Sequence, residues 1–343
     1  MLDVRRFGFL AALMCSVALG GTEPPATAPD ADGGRVAEAQ ARRGGRAADL
    51  LRGVKAIRDI EYATPDGRPV RLDLYVPEGA KGPLPLIIWV HGGGWKMGSK
   101  AGCPALPWVT DGFAVASVEY RFTNRAPFPA QIHDCKAAVR FLRAKAKEYN
   151  LDPDRFGAWG ASAGGHLVAL LGTTGGNAEC EGAELGNAEF SSAVQCVCDW
   201  FGPTDFLSYN ADQAEVSGML IGLFGGRISQ KQELARLASP ALHVKKPAGG
   251  EAVKYPPFLI VQGDKDLLVP ERQSRLLAER LKDAGAENEL VIVAGAGHGF
   301  MGDQARAEFQ RVREFFKKRL KVDPPPSDPA AKAAGPSGEG KPG

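Results

Sequence analysis

The sequence predicts an α/β fold in which a mostly parallel, doubly wound sheet carries helices on both faces. Three observations support this prediction. Near-continuous apolar segments of strand length recur along the chain, as buried parallel strands require. Segments with helical periodicity alternate with them, which places helices on both faces of such a sheet. Glycine-rich and polar segments directly follow several strands, where open α/β sheets bind their ligands.

The composition is that of a soluble globular enzyme. The chain has 343 residues, of which 44% are hydrophobic and 24% charged, and a net charge of +2. This charge balance gives no reason to expect nucleic acid or an anionic membrane as a partner. The length suits one α/β domain with tails.

The two ends differ in composition from the centre. Two arginines and an apolar run (7–19) predict a signal peptide over 1–20, too short to span a membrane. We therefore expect export to the periplasm or medium, with a buried N-terminal helix as the alternative. Residues 21–49 and 323–343 are rich in proline, glycine and alanine, which predicts a disordered linker and tail. The catalytic domain is expected over 50–322.

Eight strands are predicted within this domain. The first two alternate in polarity, as an antiparallel edge does, and several later ones are apolar throughout. The predicted strands are Ile57–Ala63, Val70–Val76, Leu84–Val90, Phe113–Val118, Arg155–Trp159, Val194–Asp199, Phe258–Gln262 and Leu290–Val293.

Four helices are predicted between and after these strands. The connection over 203–256 is too long for a simple crossover, so we expect a small cap-like insert there. The predicted helices are Gln131–Tyr149, Ser162–Gly172, Glu271–Ala284 and Ala305–Leu320.

The segment from Arg155 to Gly172 carries the strongest chemical signal. It predicts a strand, a glycine-rich turn and a helix, and the turn holds a G-x-S-x-G pattern centred on Ser162. Small flanking residues permit the tight backbone of a nucleophile elbow. The helix dipole favours negative charge at the serine. The five-residue pattern alone is weak, but its strand–turn–helix context makes Ser162 a candidate nucleophile.

Three other glycine-rich loops follow strands. His91-Gly92-Gly93-Gly94-Trp95 can bring backbone amides close to a ligand oxygen, as an oxyanion hole requires, although a flexible turn is the alternative. Two carboxylates, Asp264 and Asp266, follow the seventh strand, and His298 follows the eighth. The order serine, acid, histidine is that of a catalytic triad.

Among the five histidines, only His298 combines a flexible loop with the expected position in this order, so it is the candidate base. His133 and His166 lie on predicted helices and are better explained by packing or by the helix surface. His91 is expected to brace the glycine loop.

The cysteines leave several pairings open. Five follow the predicted signal peptide, so at least one is unpaired within the chain. Cys135 lies on an apolar helical face and is expected to be a free thiol. A bridge among Cys180, Cys196 and Cys198 is possible, and Cys103 has no predicted partner. No Cys/His spacing fits zinc, so no metal site is expected.

With these residues in place, the chain resembles the esterase branch of the α/β-hydrolase fold over about Ile57 to Leu320. It is similar to hormone-sensitive-lipase-like esterases in HGGGW (91–95) and GASAGG (160–165). It is also similar to bacterial bifunctional acetylxylan/feruloyl esterase-like enzymes in VEYRF…APFPAQIHD, DWFGPTDF and GDKDLLVP.

The resemblance implies a role for each matching residue. Ser162 is the implied nucleophile, His298 the base and Asp266 the acid, while Asp264 is interpreted as a turn former. The backbone amides of Gly93, Gly94 and Ala163 are the implied oxyanion donors, and no metal or organic cofactor is needed.

Other family positions are structural or unsettled. Arg121 and Asp134 are expected to form a bracing ion pair, with a substrate contact as the alternative. Many relatives carry YRLAPE where this chain has residues 122–125, so the usual brace of that loop is not implied. Three aromatic residues, Trp95, Trp200 and Phe201, are predicted to line the acyl or alcohol pocket; for the last two, core packing is an equal alternative.

The predicted function is hydrolysis of short acyl esters, such as acetyl or feruloyl groups of plant polysaccharides. The substrate is thus a small-molecule or polysaccharide ester, and the oligomeric state is left open. One alternative is a serine peptidase of the prolyl-oligopeptidase kind, but no propeller-like repeats precede the domain. A non-catalytic binding protein is the other, and the complete triad disfavours it.

Overall fold

Eight strands form the centre of the protein in a computed structural model that describes residues 51–209, 214–246 and 254–322. The expected signal peptide, linker and tail lie outside the described residues, as do two parts of the insert. The strands are β1 (Val54–Ala63), β2 (Val70–Pro77), β3 (Leu84–Val90), β4 (Ala114–Val118), β5 (Leu151–Ala161), β6 (Cys196–Trp200), β7 (Phe258–Gly263) and β8 (Asn288–Val293).

The strands build one sheet in the order β1-β2-β4-β3-β5-β6-β7-β8. β2 pairs antiparallel with both β1 and β4, and every pairing from β4 to β8 is parallel. The predicted mostly parallel sheet with an antiparallel edge is therefore confirmed.

The four predicted helices are present, with shifted ends. The first ends at Ala144 rather than Tyr149, because the backbone of Lys145 (φ −95°, ψ 11°) leaves helical geometry and the chain continues through turns to β5. Four further helices, one before β6 and three in the insert, were not predicted. The described helices are α1 (Ala130–Ala144), α2 (Ala163–Thr173), α3 (Ala178–Glu181), α4 (Ala214–Phe224), α5 (Gln232–Leu237), α6 (Pro240–His243), α7 (Arg272–Asp283) and α8 (Gly302–Leu320).

Helices cover both faces of the sheet because the side chains of a strand alternate between its faces. In β3, Ile88 joins the apolar cluster that contains α1, α2 and α7. Its neighbour Trp89 joins the opposite cluster, which contains α8 and the short 3-10 helix Leu106–Asp111. All of β3 is buried, which explains its uninterrupted apolar sequence.

The loop after β4 is anchored on α1 by the predicted ion pair. The Nε atom of Arg121 lies 3.0 and 2.9 Å from the two carboxylate oxygens of Asp134, whose side chain is fully buried. Arg125 supplies a further brace, because its guanidinium donates to the carbonyl of Pro65 at 2.7 Å and to Asp66 at 3.1 Å. The loop that departs from the family pattern is thus held by contacts to the β1–β2 connection.

All five cysteines in the described part of the chain are buried and unbridged. Cys180 belongs to the apolar cluster on one face of the sheet, whereas Cys196 and Cys198 belong to the other. The sheet therefore separates Cys180 from the other two thiols. Burial raises the pKa of Cys180 to about 11 and that of Cys103 to about 12.

Among the described helices, none combines the length and the apolar character needed to cross a membrane.

Candidate active site

Ser162 occupies the sharp turn between β5 and α2. Its backbone angles, φ 56° and ψ −120°, are rare for a residue with a side chain and are typical of a strained nucleophile elbow. A Cβ on Gly160 would overlap the carbonyl of Gly164, and a Cβ on Gly164 would overlap the carbonyl of Val90. The glycines around Ser162 are therefore required for the close approach of strand and helix.

Ser162, His298 and Asp266 form one hydrogen-bonded chain. The hydroxyl of Ser162 lies 2.8 Å from Nε2 of His298, and Nδ1 of His298 lies 2.7 Å from Oδ2 of Asp266. Because a carboxylate only accepts, the histidine donates from Nδ1 and accepts the serine proton at Nε2. The structure thus brings together the three residues that the sequence singled out for the triad.

Both carboxylate oxygens of Asp266 accept hydrogen bonds. Its Oδ1 accepts the backbone N–H groups of Leu268 and Val269, both at 2.9 Å, and its Oδ2 also accepts from the Gln262 amide at 3.0 Å. The Gln262 carbonyl in turn accepts from the hydroxyl of Ser274 at 2.9 Å. These donors fix the carboxylate in the orientation that faces His298.

Asp264, the competing carboxylate, has a different partner. Its Oδ1 accepts the backbone N–H of Gly295 at 2.7 Å, which ties the loop after β7 to the loop after β8. This contact agrees with the interpretation of Asp264 as a residue that shapes a turn.

The glycine loop after β3 lies beside the elbow because β3 and β5 are hydrogen-bonded neighbours, with Val90 opposite Gly160. Its backbone is left-handed at Gly93 (φ 111°), Gly94 (φ 57°) and Trp95 (φ 58°). Glycine adopts such angles at low cost, which explains two of these positions. The carbonyl of Gly93 accepts two amides at 3.1 Å, closing the loop.

The His91 ring braces the glycine loop, as expected. It stacks on Tyr120 with 4.6 Å between ring centroids, and its Nδ1 lies 2.7 Å from the carbonyl of Gly92. Desolvation in this buried position lowers the pKa of His91 to about 4, so the ring is neutral at physiological pH.

Ala163 stands at the start of α2. The first intrahelical hydrogen bond there runs from the His166 amide to the Ser162 carbonyl at 2.9 Å, so the amide of Ala163 precedes it. Amides of a first helical turn have no intrahelical acceptor. The amide of Ala163 therefore has no acceptor within α2, and its role as an oxyanion donor together with Gly93 and Gly94 stays a prediction.

The three aromatic residues predicted to line the pocket are almost fully buried. Trp95 is 4% exposed, and its indole donates to His166. Trp200 is 2% exposed and packs against Trp159 on the face covered by α8. Phe201 packs against the His298 ring, with 4.7 Å between centroids. The burial of Trp200 and Phe201 favours the core-packing alternative for these two residues, and a substrate contact stays a prediction for all three.

Sequence reasoning missed Met219. A Cβ on Gly94 would lie 2.5 Å from the Met219 sulfur, so the thioether packs directly against the glycine loop. Met219 belongs to α4 of the insert, which also touches the loop after β4 through the Phe128 amide and the Leu223 carbonyl, 2.8 Å apart. No local pattern in the sequence links α4 to the glycine loop.

Asp199 was missed as well. It is fully buried behind the elbow, where Oδ1 accepts the Gly202 amide at 2.9 Å and Oδ2 has no partner among the described residues. Desolvation raises its pKa to about 7. A Cβ on Gly165 would overlap Oδ1, so Asp199 lies directly against the first turn of α2.

Comparison with known families decides the classification. Residues 72–281 match the family described as BD-FAE, and residues 243–320 match the dienelactone hydrolase family. The chain belongs to the BD-FAE family. This match runs from β2 to the last turns of α7 and includes Ser162 and Asp266.

Relatives of this BD-FAE chain include esterases of bacteria and plants. It is 32% identical to Esterase LipC of Mycobacterium tuberculosis over 224 residues, which cover 64% of this chain and 53% of LipC. It is 29% identical over 253 residues to the probable isoprenylcysteine alpha-carbonyl methylesterase ICMEL1 of Arabidopsis thaliana, covering 71% of this chain and 52% of that one. The chain thus spans about half the length of the curated relatives it matches.

Solved structures confirm the α/β-hydrolase fold of the BD-FAE chain. A truncated carbohydrate esterase from gut microbiota superposes with a TM-score of 0.68 at 30% identity, covering 78% of this chain and 96% of that one. The esterase Est2 of Thermogutta terrifontis superposes with a TM-score of 0.65 at 25% identity, covering 81% and 96%.

Proposed function

We propose that this protein is a serine carboxylic-ester hydrolase that works through an acyl-enzyme. The proposal rests on one observation, the hydrogen-bonded chain from the Ser162 hydroxyl through His298 to Asp266. A serine becomes nucleophilic when a base accepts its proton, and the base needs a carboxylate to fix its tautomer and to stabilise its cation. Family membership and the esterase relatives support the same chemistry.

In the first half of the reaction, Ser162 attacks the ester carbonyl while His298 takes its proton. The tetrahedral oxyanion accepts hydrogen bonds from the amides of Gly93, Gly94 and Ala163. His298 then protonates the leaving alcohol. In the second half, water attacks the acyl-enzyme with the same assistance and releases the acid. Every proton transfer in this mechanism passes through His298. The protein contributes only the side chains of the three triad residues and the backbone amides named above.

The proposed substrates are short acyl esters, such as acetyl or feruloyl groups on plant polysaccharides. One structural neighbour, the truncated enzyme from gut microbiota, is named a carbohydrate esterase, which supports a carbohydrate ester as substrate. Of the acetyl and feruloyl groups, the packing of Met219 against Gly94 supports acetyl, because its thioether occupies space beside the proposed oxyanion donors.

The experiment that tests the function is a turnover assay on acetyl, butyryl, octanoyl and feruloyl esters, acetylated xylan and a proline-anilide peptide. Ser162→Ala is the matched control. We expect cleavage of short esters and xylan by the wild type and none by the variant. Turnover of the anilide alone would establish a peptidase instead. A folded wild type that cleaves nothing would overturn the proposal.

We also propose that the protein is exported through the signal peptide expected over 1–20, which lies outside the described residues. The support is sequence alone, namely two arginines followed by an apolar run. Fractionation of cells that express the full chain, with N-terminal sequencing of the product, tests this. Recovery of intact Met1 in the cytoplasm would contradict export.

A further inference from the structure

The buried ring of His166 connects three separate parts of the protein. Its Nδ1 lies 3.1 Å from the indole Nε1 of Trp95 in the glycine loop, and its Nε2 lies 2.7 Å from the carbonyl of Ala238 in the insert. The residue itself stands in the first turn of α2, where its amide donates to the carbonyl of Ser162. One side chain therefore joins the nucleophile helix, the glycine loop and the insert.

These partners fix both the tautomer and the charge of the ring. An indole N–H only donates and a carbonyl only accepts, so His166 accepts at Nδ1 and donates from Nε2. A proton on Nδ1 would face the N–H of Trp95 and break the link. The ring is fully buried, and desolvation lowers its pKa to about 4, which keeps it neutral.

Trp95 needs this support because its backbone is strained. Its φ of 58° is unfavourable for a large side chain, and such strain persists only where surrounding contacts hold the residue. Besides its contact with His166, the Trp95 ring lies 5.9 Å from the Phe206 ring, measured between centroids. The backbone carbonyl of Trp95 accepts the amide of Thr123 at 2.9 Å. The bond to His166 is the directional contact of the indole, whose Nε1 is its single donor.

The aromatic surroundings keep water from this link. The His166 ring packs edge-to-face with Phe206 at 5.1 Å and lies 6.3 Å from Phe128. A hydrogen bond in such an apolar setting is strong, and a donor left without its acceptor there is costly.

We propose that His166 is a positioning residue that holds the indole of Trp95 and thereby fixes the backbone of Gly93 and Gly94 at Ser162. The inference rests on the proposed ester hydrolysis, in which those two residues donate to the oxyanion. The His166 ring is fully buried, so it would act on the reaction through Trp95. Without its acceptor, Trp95 leaves the left-handed conformation and the preceding amides move. A donor displaced by about 1 Å loses much of its effect on the transition state.

The test uses His166→Leu, Trp95→Phe and the double variant, with turnover of p-nitrophenyl acetate expressed per active site titrated by an organophosphate. We expect kcat per site to fall by about tenfold to 10²-fold with KM changed by less than about threefold, since the oxyanion forms only after binding. The double variant should lose no more than the worse single variant, because both remove the same link.

A second readout separates positioning from mere packing. A trifluoromethyl ketone forms a hemiketal with Ser162 and places an oxyanion among the donors, so its Ki should rise in parallel with the loss in kcat. His166→Asn keeps an acceptor oxygen near the former Nδ1 and should restore part of kcat and Ki. His243→Leu is the matched control, since that ring bonds the Leu237 carbonyl at 2.8 Å and should keep wild-type kcat per site.

Each possible result of these measurements supports or overturns the positioning role of His166. Wild-type kcat per site and wild-type Ki in both His166→Leu and Trp95→Phe would overturn the inference, as would losses that multiply in the double variant. A lower melting temperature with unchanged kcat per site would place His166 in packing alone. A wild type without ester turnover would overturn the proposed function instead, which keeps the two failures apart.

Discussion

The Nε2 atom of His298 lies 2.8 Å from the hydroxyl of Ser162, although 136 positions separate the two residues. Ser162 follows β5 and His298 follows β8, with β6 and β7 between those strands in the sheet. Parallel strands end at the same edge, so segments distant in sequence meet there. The loop after β8 then spans the remaining distance across that edge.

Replacing Ser162 by alanine should remove catalysis without unfolding the protein. We expect kcat for p-nitrophenyl acetate to fall by about 10⁵-fold or more, because no other group can take the nucleophile's place. The melting temperature should change little, since the elbow backbone depends on the surrounding glycines. Stopped-flow and long-time assays, with circular dichroism as the folding check, measure both. A variant that kept a tenth of wild-type kcat would disprove the role of Ser162.

The two carboxylates after β7 should respond very differently to amidation. Asp266→Asn replaces the acceptor of His298 and brings an NH2 group among donors, so kcat should drop by about 10⁴-fold. Asp264→Asn retains an oxygen for the Gly295 amide, and its kcat should stay within about threefold of wild type. Comparing the two variants by steady-state kinetics identifies the acid. Equal losses, or a larger loss in Asp264→Asn, would reverse the choice.

Asp199 should make the folded protein less stable as the pH rises. Its pKa is raised from 3.8 to about 7 by burial, so the folded state binds the proton more tightly than the unfolded state. The stabilising contribution of Asp199 to folding is therefore complete below about pH 4 and is lost between pH 4 and about 7. Relative to wild type, Asp199→Asn should therefore gain unfolding free energy across that window, by up to about 4 kcal/mol.

Urea unfolding of both proteins from pH 4 to pH 8 measures this difference. The neutral rings of His91 and His166, whose pKa values are lowered to about 4, act in the opposite direction. They stabilise the fold above pH 6.5 and lose that effect as the pH falls, but they are common to both proteins. A difference between the two proteins that does not vary with pH would contradict the prediction.

Gly98→Ala should damage the glycine loop. Gly98 has φ 112°, and a Cβ there would overlap the ring of His91 and lie 2.6 Å from the carbonyl of Gly92. We expect a loss of about 1–3 kcal/mol in unfolding free energy and a lower kcat per active site. Gly79→Ala is the matched control, because Gly79 is also left-handed (φ 72°) but has no atom within 4 Å of its Cβ.

Both variants are compared by chemical denaturation and by kcat per titrated site. Gly79→Ala should show the backbone cost alone, with wild-type kcat. If the two alanine variants had equal kcat and equal stability, the contact between Gly98 and His91 would have no effect on the loop.

The candidate triad residues could be named from the sequence because their signals are local. The elbow at Ser162 requires small residues within a few positions, and those residues are adjacent in the sequence. The same holds for the glycine-rich loop at Gly93 and Gly94, and for His298 on its loop after β8. Uninterrupted apolar runs also indicate buried parallel strands. The sequence therefore predicted the sheet and the edge at which these residues meet.

The structural features that the sequence did not predict depend on contacts between distant segments. Trp95 and Trp200 were predicted to line the pocket, with core packing as an equal alternative for Trp200; both are buried, in apolar clusters on opposite faces of the sheet, which no local pattern indicates. Met219 could not be placed, because α4 carries no pattern that relates it to Gly94. The separation of Cys180 from Cys196 is likewise set by the sheet between them.

The sequence by itself determined the α/β sheet, the strained turn at Ser162 and the order of serine, acid and histidine, because short-range backbone constraints and hydrophobic periodicity encode them. Residue patterns alone left Asp264 and Asp266 as competitors and the family resemblance implied Asp266; the tertiary structure shows that Asp266 faces His298 while Asp264 faces Gly295. It also decided between the two explanations open for His166, packing and the helix surface, because the ring is fully buried and neutral. Hydrogen-bond partners and desolvation are properties of the packed chain, since both depend on which distant segments exclude water from a side chain.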